Sequence, residues 1–228
     1  MQEAEELSKV LVTGFGPYAD TPVNPAQLTA EAVDGLTIAG AKVVSRIVPN
    51  AYFESIAAAV AAVEEEKPDL LIMLGEFGGR AVITVERLAQ NLNDCARYGV
   101  ADTAGRVLTG EPTAVDGPVA YWATTPNRAM VSAMRRAGIP ADLSDAAGTF
   151  VCNHLMYGML HHIATNDLPI RAGWIHLPYL PEVAALDRNL GAPSMSVETL
   201  ATGVSAGIEA AVEHAVDTEE PFLSRLQI

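Results

Sequence analysis

Apolar runs of strand length alternate with amphipathic stretches of helix length along nearly the whole chain, and that alternation admits few folds. Asp69-Leu70-Leu71-Ile72-Met73-Leu74 is apolar at every position after the first, as a strand buried on both faces has to be. Lys9–Phe15 and Arg171-Ala172-Gly173-Trp174-Ile175-His176-Leu177 read the same way, the second closed by Pro178 and Pro181. Ala41–Val48 alternates apolar and polar residues until Pro49-Asn50, and Ala141–Asp145 is a short strand. Between these runs helices are expected from Pro25, over Glu54–Glu66 up to Pro68, over Asn127–Ala137 and over Val151–Ala164. A last helix opens at a capping box, Ser196-Val197-Glu198-Thr199, and runs to about Ala215. Strands separated by helices predict an α/β chain, an α/β/α sandwich around a largely parallel sheet. No repeat or linker divides residues 1–228, so one domain is expected, with 1–8 and 217–228 as flexible ends.

Half of the 228 residues are hydrophobic, enough for a sizeable core, and a net charge of −14 argues against binding a phosphate backbone. The acidic start has no apolar run to serve as a signal peptide, and no stretch approaches the about 20 apolar residues of a membrane span. Two cysteines, Cys95 and Cys152, are too few for a disulfide scaffold, so reduced thiols in a cytoplasmic enzyme are expected.

Chemistry concentrates at Cys152. A turn of small residues, Ala146-Ala147-Gly148-Thr149, leads into the helix that carries this thiol at its start. Unpaired N–H groups and the positive end of the helix dipole there favour thiolate, the nucleophilic form. A free cysteine is also a common small core residue, and position alone leaves both readings open. His176 ends an apolar strand and suits a base or a structural imidazole; Glu86, in Ile83-Thr84-Val85-Glu86-Arg87, suits an orienting carboxylate or a solvated charge. Gly75-Glu76-Phe77-Gly78-Gly79-Arg80 reads as a tight turn or an anion cradle, without the Lys and Ser/Thr of a P-loop. His154, His161 and His162 invite a metal on one helix face, but spacings of seven and eight are not those of two ligands on one ion. No metal site is assigned. Residues 91–118 lose periodicity and read as a functional loop or lid. Ligands of open α/β sheets bind beyond the carboxyl ends of strands, which puts Phe15, Glu76, Asp145 and His176 on one expected rim.

Four blocks resemble the pyrrolidone-carboxylate peptidases (pyroglutamyl peptidase type I), a family of cysteine peptidases. They are Thr13-Gly14-Phe15-Gly16-Pro17-Tyr18 with Asn24-Pro25; Gly78-Gly79-Arg80 with Ile83-Thr84, Glu86-Arg87 and Asn91; Ala147–His154; and Gly173–Tyr179. The resemblance implies a three-layer α/β/α sandwich around a mixed, mostly parallel sheet and a Glu86–Cys152–His176 triad. It also implies removal of N-terminal pyroglutamyl residues from peptides without metal or cofactor, assembly as a homotetramer, and Phe15, Tyr18 and Phe150 as the aromatic residues around the lactam.

The chemistry suits these residues. A neutral lactam ring needs stacking faces and a few amide-directed hydrogen bonds. Cys152 thiolate, held as an ion pair by His176, is expected to attack the pyroglutamyl carbonyl, with Glu86 orienting the imidazole. The Cys152 backbone N–H, joined by Arg97, is the expected oxyanion hole. Three departures from the family pattern stand out. Glu76-Phe77 replaces Gln-Ala beside the lactam, where Glu76 is a candidate substrate-binding residue whose carboxylate is expected either to weaken binding or alter its pH dependence, or to pair with Arg80. Val85 replaces Pro, and the segment after Asn91 is longer. The competing readings are a silent relative that binds a blocked peptide, and an amidohydrolase of other lactams or N-acyl amino acids.

Overall fold

The structure, a computed structural model, describes residues 9–18 and 21–226, so the expected flexible start at 1–8 lies outside the described residues. The first half of the chain forms β1 (Lys9–Phe15), α1 (Pro25–Val33), β2 (Thr37–Ile38), β3 (Ala41–Val48), α2 (Glu54–Glu66), β4 (Leu70–Glu76) and β5 (Ile83–Glu86). Four short strands follow: β6 (Leu88–Gln90), β7 (Asn93–Asp94), β8 (Thr109–Glu111) and β9 (Ala120–Trp122). The rest is α3 (Asn127–Arg136), β10 (Ala141–Ser144), α4 (Val151–Thr165), β11 (Arg171–Leu177), α5 (Pro181–Ala184) and α6 (Val197–Glu213).

Seven strands pair in the order β10-β5-β11-β4-β1-β3-β2. β3, β1, β4 and β11 run parallel, β5 and β10 parallel each other, and β5 lies antiparallel to β11. The expected mixed, mostly parallel sheet is therefore present. Period-two alternation sends Val10, Val12, Ile72, Ile175 and Leu177 to one face, where they pack with residues of α1, α3 and α6. Leu11, Leu71, Met73 and Trp174 go to the other face, against α2 and α4. This is the three-layer sandwich. The reversal of β5 and β10 corrects the expected rim: Asp145, just past β10, lies on the opposite edge from Glu76 and His176 and pairs with Arg87.

Helix α4 is buried along most of its length, from Val151 through Ile163. Such a helix needs cover on two sides. The sheet covers one, and residues 88–122 cover another: Asn153 Nδ2 donates to the carbonyls of Gln90 and Leu92 (2.8 and 3.0 Å), and the Tyr157 hydroxyl to that of Pro118 (2.7 Å). The 91–118 segment is thus tied down. Asn91 Oδ1 accepts from the N–H groups of Thr113 and Ala114, and buried Asp102 accepts from those of Tyr52, Ala104 and Arg106.

Ser196 caps α6 by accepting from the Thr199 N–H (3.3 Å). Thr199 stands where a capping box needs Glu or Gln, so that motif is half present. The tail also departs from expectation. Asp217 accepts from the N–H groups of Arg128 and Ala129, capping α3 in place of Pro126, which makes no capping bond of its own. Further on, the N–H groups of Arg225 and Leu226 donate to Asp142. Residues 217–226 are therefore anchored, while 227–228 lie outside the described residues. Among the described residues no helix is long and apolar enough to cross a membrane. Asp217→Ala should lower stability by about 1 kcal/mol, as loss of an N-cap does; urea unfolding with an unchanged midpoint would show that the tail does not cap α3.

Candidate active site

Cys152 is the second residue of α4, where its N–H has no carbonyl one turn back inside the helix. Gly148, at φ +83°, makes the turn that starts the helix. Gly75 on β4 governs how close the thiol comes to the sheet. It pairs in register with His176 on β11, and a Cβ built on it would lie 2.5 Å from the Trp174 ring, 3.0 Å from Cys152 Sγ and 3.2 Å from His176 Cδ2. Only a residue without a side chain leaves room there for sulfur and imidazole together.

On the antiparallel neighbour β5, Thr84 is opposite His176 and Glu86 opposite Trp174, so Glu86 reaches the imidazole along the diagonal. Its Oε1 accepts from His176 Nδ1 and from Arg80 Nη1, each at 2.8 Å, and lies 3.3 Å from Thr84 Oγ1. Arg80 also donates to Thr84. Glu86 has no exposed surface, and Arg80 and His176 are nearly as enclosed. The Arg80 guanidinium packs 3.6 Å over the Phe77 ring, which meets the imidazole edge-to-face. With Nδ1 on Glu86, His176 Nε2 is left buried without a protein partner.

These contacts open on a cavity of about 230 Å³ lined by Tyr18, Glu76, Phe77, Tyr98, Val100, Phe150, Cys152 and His176, among others. Glu76 Oε1 accepts from the Tyr18 hydroxyl at 3.0 Å. The alternative Glu76–Arg80 pair is not formed, because Arg80 is held by Glu86.

Burial pushes the Cys152 thiol up to about 12, helped by the carboxylates of Glu76 and Glu86; its own backbone N–H and Arg80 pull the other way. Burial also lowers the His176 imidazole, against the upward pull of Glu86. For Glu86, burial is outweighed by the His176 hydrogen bond and the nearby Arg80 charge, which keep it below the ordinary carboxylate range. Burial thus works against charge on both the thiol and the imidazole, while the His176 bond and the Arg80 charge hold Glu86 toward its ionised form. Burial raises Glu76 to about 7, against the opposing Tyr18 bond.

The expected catalytic residues Glu86, Cys152 and His176 converge, and Tyr18, Phe150 and Glu76 border the same cavity. Phe15 is not among the residues that line it; it is buried, its ring 5.9 Å from that of Trp174. Arg97 is exposed, its guanidinium over Tyr98, and does not line the cavity. His154 is structural: Nε2 accepts from the Phe53 N–H (2.9 Å), Nδ1 faces Asn93 and Thr113, and burial lowers it to about 4. His161 Nδ1 meets the Tyr121 hydroxyl instead. Sequence reasoning missed Arg80 as the second partner of Glu86 and Gly75 as the gap beneath the thiol. The available signal was the alternation in Ile83-Thr84-Val85-Glu86, which puts Thr84 and Glu86 on one buried face and calls for a cation to meet them.

A sequence profile described as pyroglutamyl peptidase matches residues 8–214. A pyrrolidone-carboxylate peptidase of Mycobacterium marinum is 75% identical over 97% of this chain and 100% of its own length. Pyrrolidone-carboxylate peptidase 2 of Photorhabdus laumondii is 44% identical over 91% and 93%. The crystal structure of pyroglutamyl peptidase I from Bacillus amyloliquefaciens superposes with a TM-score of 0.89 at 37% identity, covering 94% of this chain and all of that one. A mutant pyrrolidone carboxyl peptidase from Pyrococcus furiosus gives 0.85 at 36%, covering 90% and 98%.

The burial that pushes the Cys152 thiol upward has a direct consequence. Alkylation of Cys152 by iodoacetamide in the free protein should climb about tenfold per pH unit through neutrality and keep rising above pH 9. A rate already level near pH 7, followed by mass spectrometry of the Cys152 peptide, would restore the ion pair.

Proposed function

The chain belongs to the pyroglutamyl peptidase family, and from that premise we propose that it is a cysteine omega-peptidase in which Cys152, His176 and Glu86 hydrolyse the amide bond after an N-terminal pyroglutamyl residue. One observation supports the assignment of roles above others. The Glu86 carboxylate fixes Nδ1 of an imidazole whose free Nε2 sits in the centre that Gly75 leaves open to Cys152 Sγ. That is a nucleophile, a base and an orienting acid in order.

The reaction starts from neutral partners. As Sγ attacks the pyroglutamyl carbonyl carbon, His176 takes the thiol proton, and Glu86 stabilises the imidazolium that forms. The tetrahedral oxyanion is held by the Cys152 N–H at the helix start. His176 then gives its proton to the departing amine, the C–N bond breaks and a thioester remains. Water, deprotonated by His176, hydrolyses that thioester, and the proton returns to the sulfur. No metal or cofactor enters this sequence.

Tyr18, Phe77 and Phe150 give the cavity flat apolar faces suited to a lactam that carries no ammonium group. Two free thiols, one of them the nucleophile, fit a cytoplasmic setting. The homotetramer implied by the family would close on apolar surface, and Val115, Val119 and Trp122 are each more than half exposed.

Purified protein should hydrolyse a pyroglutamyl fluorogenic amide and leave prolyl and alanyl amides intact, and Cys152→Ser should abolish turnover; cleavage of the alanyl amide, or activity surviving Cys152→Ser, would overturn the assignment. Glu86→Gln should lower kcat by about 10⁴-fold, the scale set by loss of the orienting acid in other triads. Retention of more than a tenth of kcat would assign Glu86 a structural role only.

A further inference from the structure

Glu76 carries a proton question that the triad leaves unanswered. It is the last residue of β4, 7% exposed, and faces the cavity beside the nucleophile. Its two oxygens are unequal: Oε1 accepts from the Tyr18 hydroxyl at 3.0 Å, while Oε2 is buried with no partner at all. A buried carboxylate normally finds a cation or several donors. Here the groups that face it are Tyr18 from the segment after β1, Cys152 on α4, His176 on β11 and Tyr179 just past β11. None supplies a resting positive charge. Arg80 is already bound to Glu86 and Thr84.

We propose that Glu76 recognises the lactam as a neutral carboxylic acid, with Oε1 kept on the Tyr18 hydroxyl and a proton on Oε2 donated to the ring carbonyl. The idea rests on the pyroglutamyl reading and says which atom and which protonation state serve it. An ionised carboxylate offers only acceptors, so it would repel a carbonyl oxygen placed against it. A neutral acid offers one donor, as the amide that the family pattern leads one to expect there does. Tyr18 settles which oxygen holds the proton. Burial keeps its hydroxyl protonated, so Oε1 is occupied as an acceptor and Oε2 is left for the hydrogen. Ionisation of Glu76, whose carboxyl titrates near 7, would then remove the donor and add charge beside the thiol in one step.

The test measures binding apart from turnover. Calorimetry of 2-pyrrolidinone, a neutral lactam with no scissile bond, is run on the full-length Cys152→Ser protein. If only neutral Glu76 binds, Kd should weaken about tenfold between roughly pH 6 and pH 8. At the upper end binding should take up close to one proton, read from buffers of different ionisation heat. Glu76→Gln should remove both the pH dependence and the proton uptake. Tyr18→Phe, which deletes the bond that holds the carboxyl down, should move the midpoint to higher pH. A Kd that is flat or tightens with rising pH, proton release, or no lactam binding at any pH would each overturn the proposal. Failure of the pyroglutamyl peptidase reading looks different: lactam binding with the expected proton linkage, but no turnover of a pyroglutamyl amide by the unsubstituted enzyme.

Discussion

A carboxylate with no exposed surface must be compensated where it stands, and much of the site is arranged around that need at Glu86. Burying it unpaired would cost several kcal/mol, far more than one hydrogen bond returns. Arg80, Thr84 and His176 all converge on its Oε1. Convergence on one atom fixes the imidazole in orientation and tautomer, with Nδ1 toward Glu86 and Nε2 toward the cavity. It also explains the use of an antiparallel strand within an otherwise mostly parallel sheet. The reversed β5 puts Glu86 opposite Trp174, and from there its side chain reaches His176 on the diagonal.

Cys152 arrives from the other layer. α4 is buried along most of its length and has to be enclosed, so the long 91–118 segment serves as its outer cover and is anchored by Asn91, Asn153 and Asp102. Tyr98 and Val100 of that segment form one wall of the cavity. Covering the helix and walling the site are thus one task. Enclosure also sets the protonation states, since burial favours the neutral thiol and the neutral imidazole and leaves Glu86 as the ionised group among them.

The alternation of apolar runs and helices along the chain was enough to predict the element order, the three layers and the burial of β1, β4 and β11, because period and composition are local properties of a strand or helix. The small-residue turn before Val151 likewise marked where a thiol would stand at a helix start. The four family-like blocks carried Glu86, Cys152 and His176, which meet at one centre, and the cavity-lining Tyr18 and Phe150. What tertiary structure decided depended on residues meeting across long separations. The reversal of β5 and β10 took Asp145 off the rim, and Phe15 is buried against the Trp174 ring rather than lining the cavity. Arg80 went to Glu86 and left Glu76 to Tyr18. The tail folded back because Asp217 and Asp142 meet N–H groups about 80 to 90 residues away in sequence. Charge states came last of all, because a pKa depends on burial and on neighbours in space, and neither is written in a local pattern.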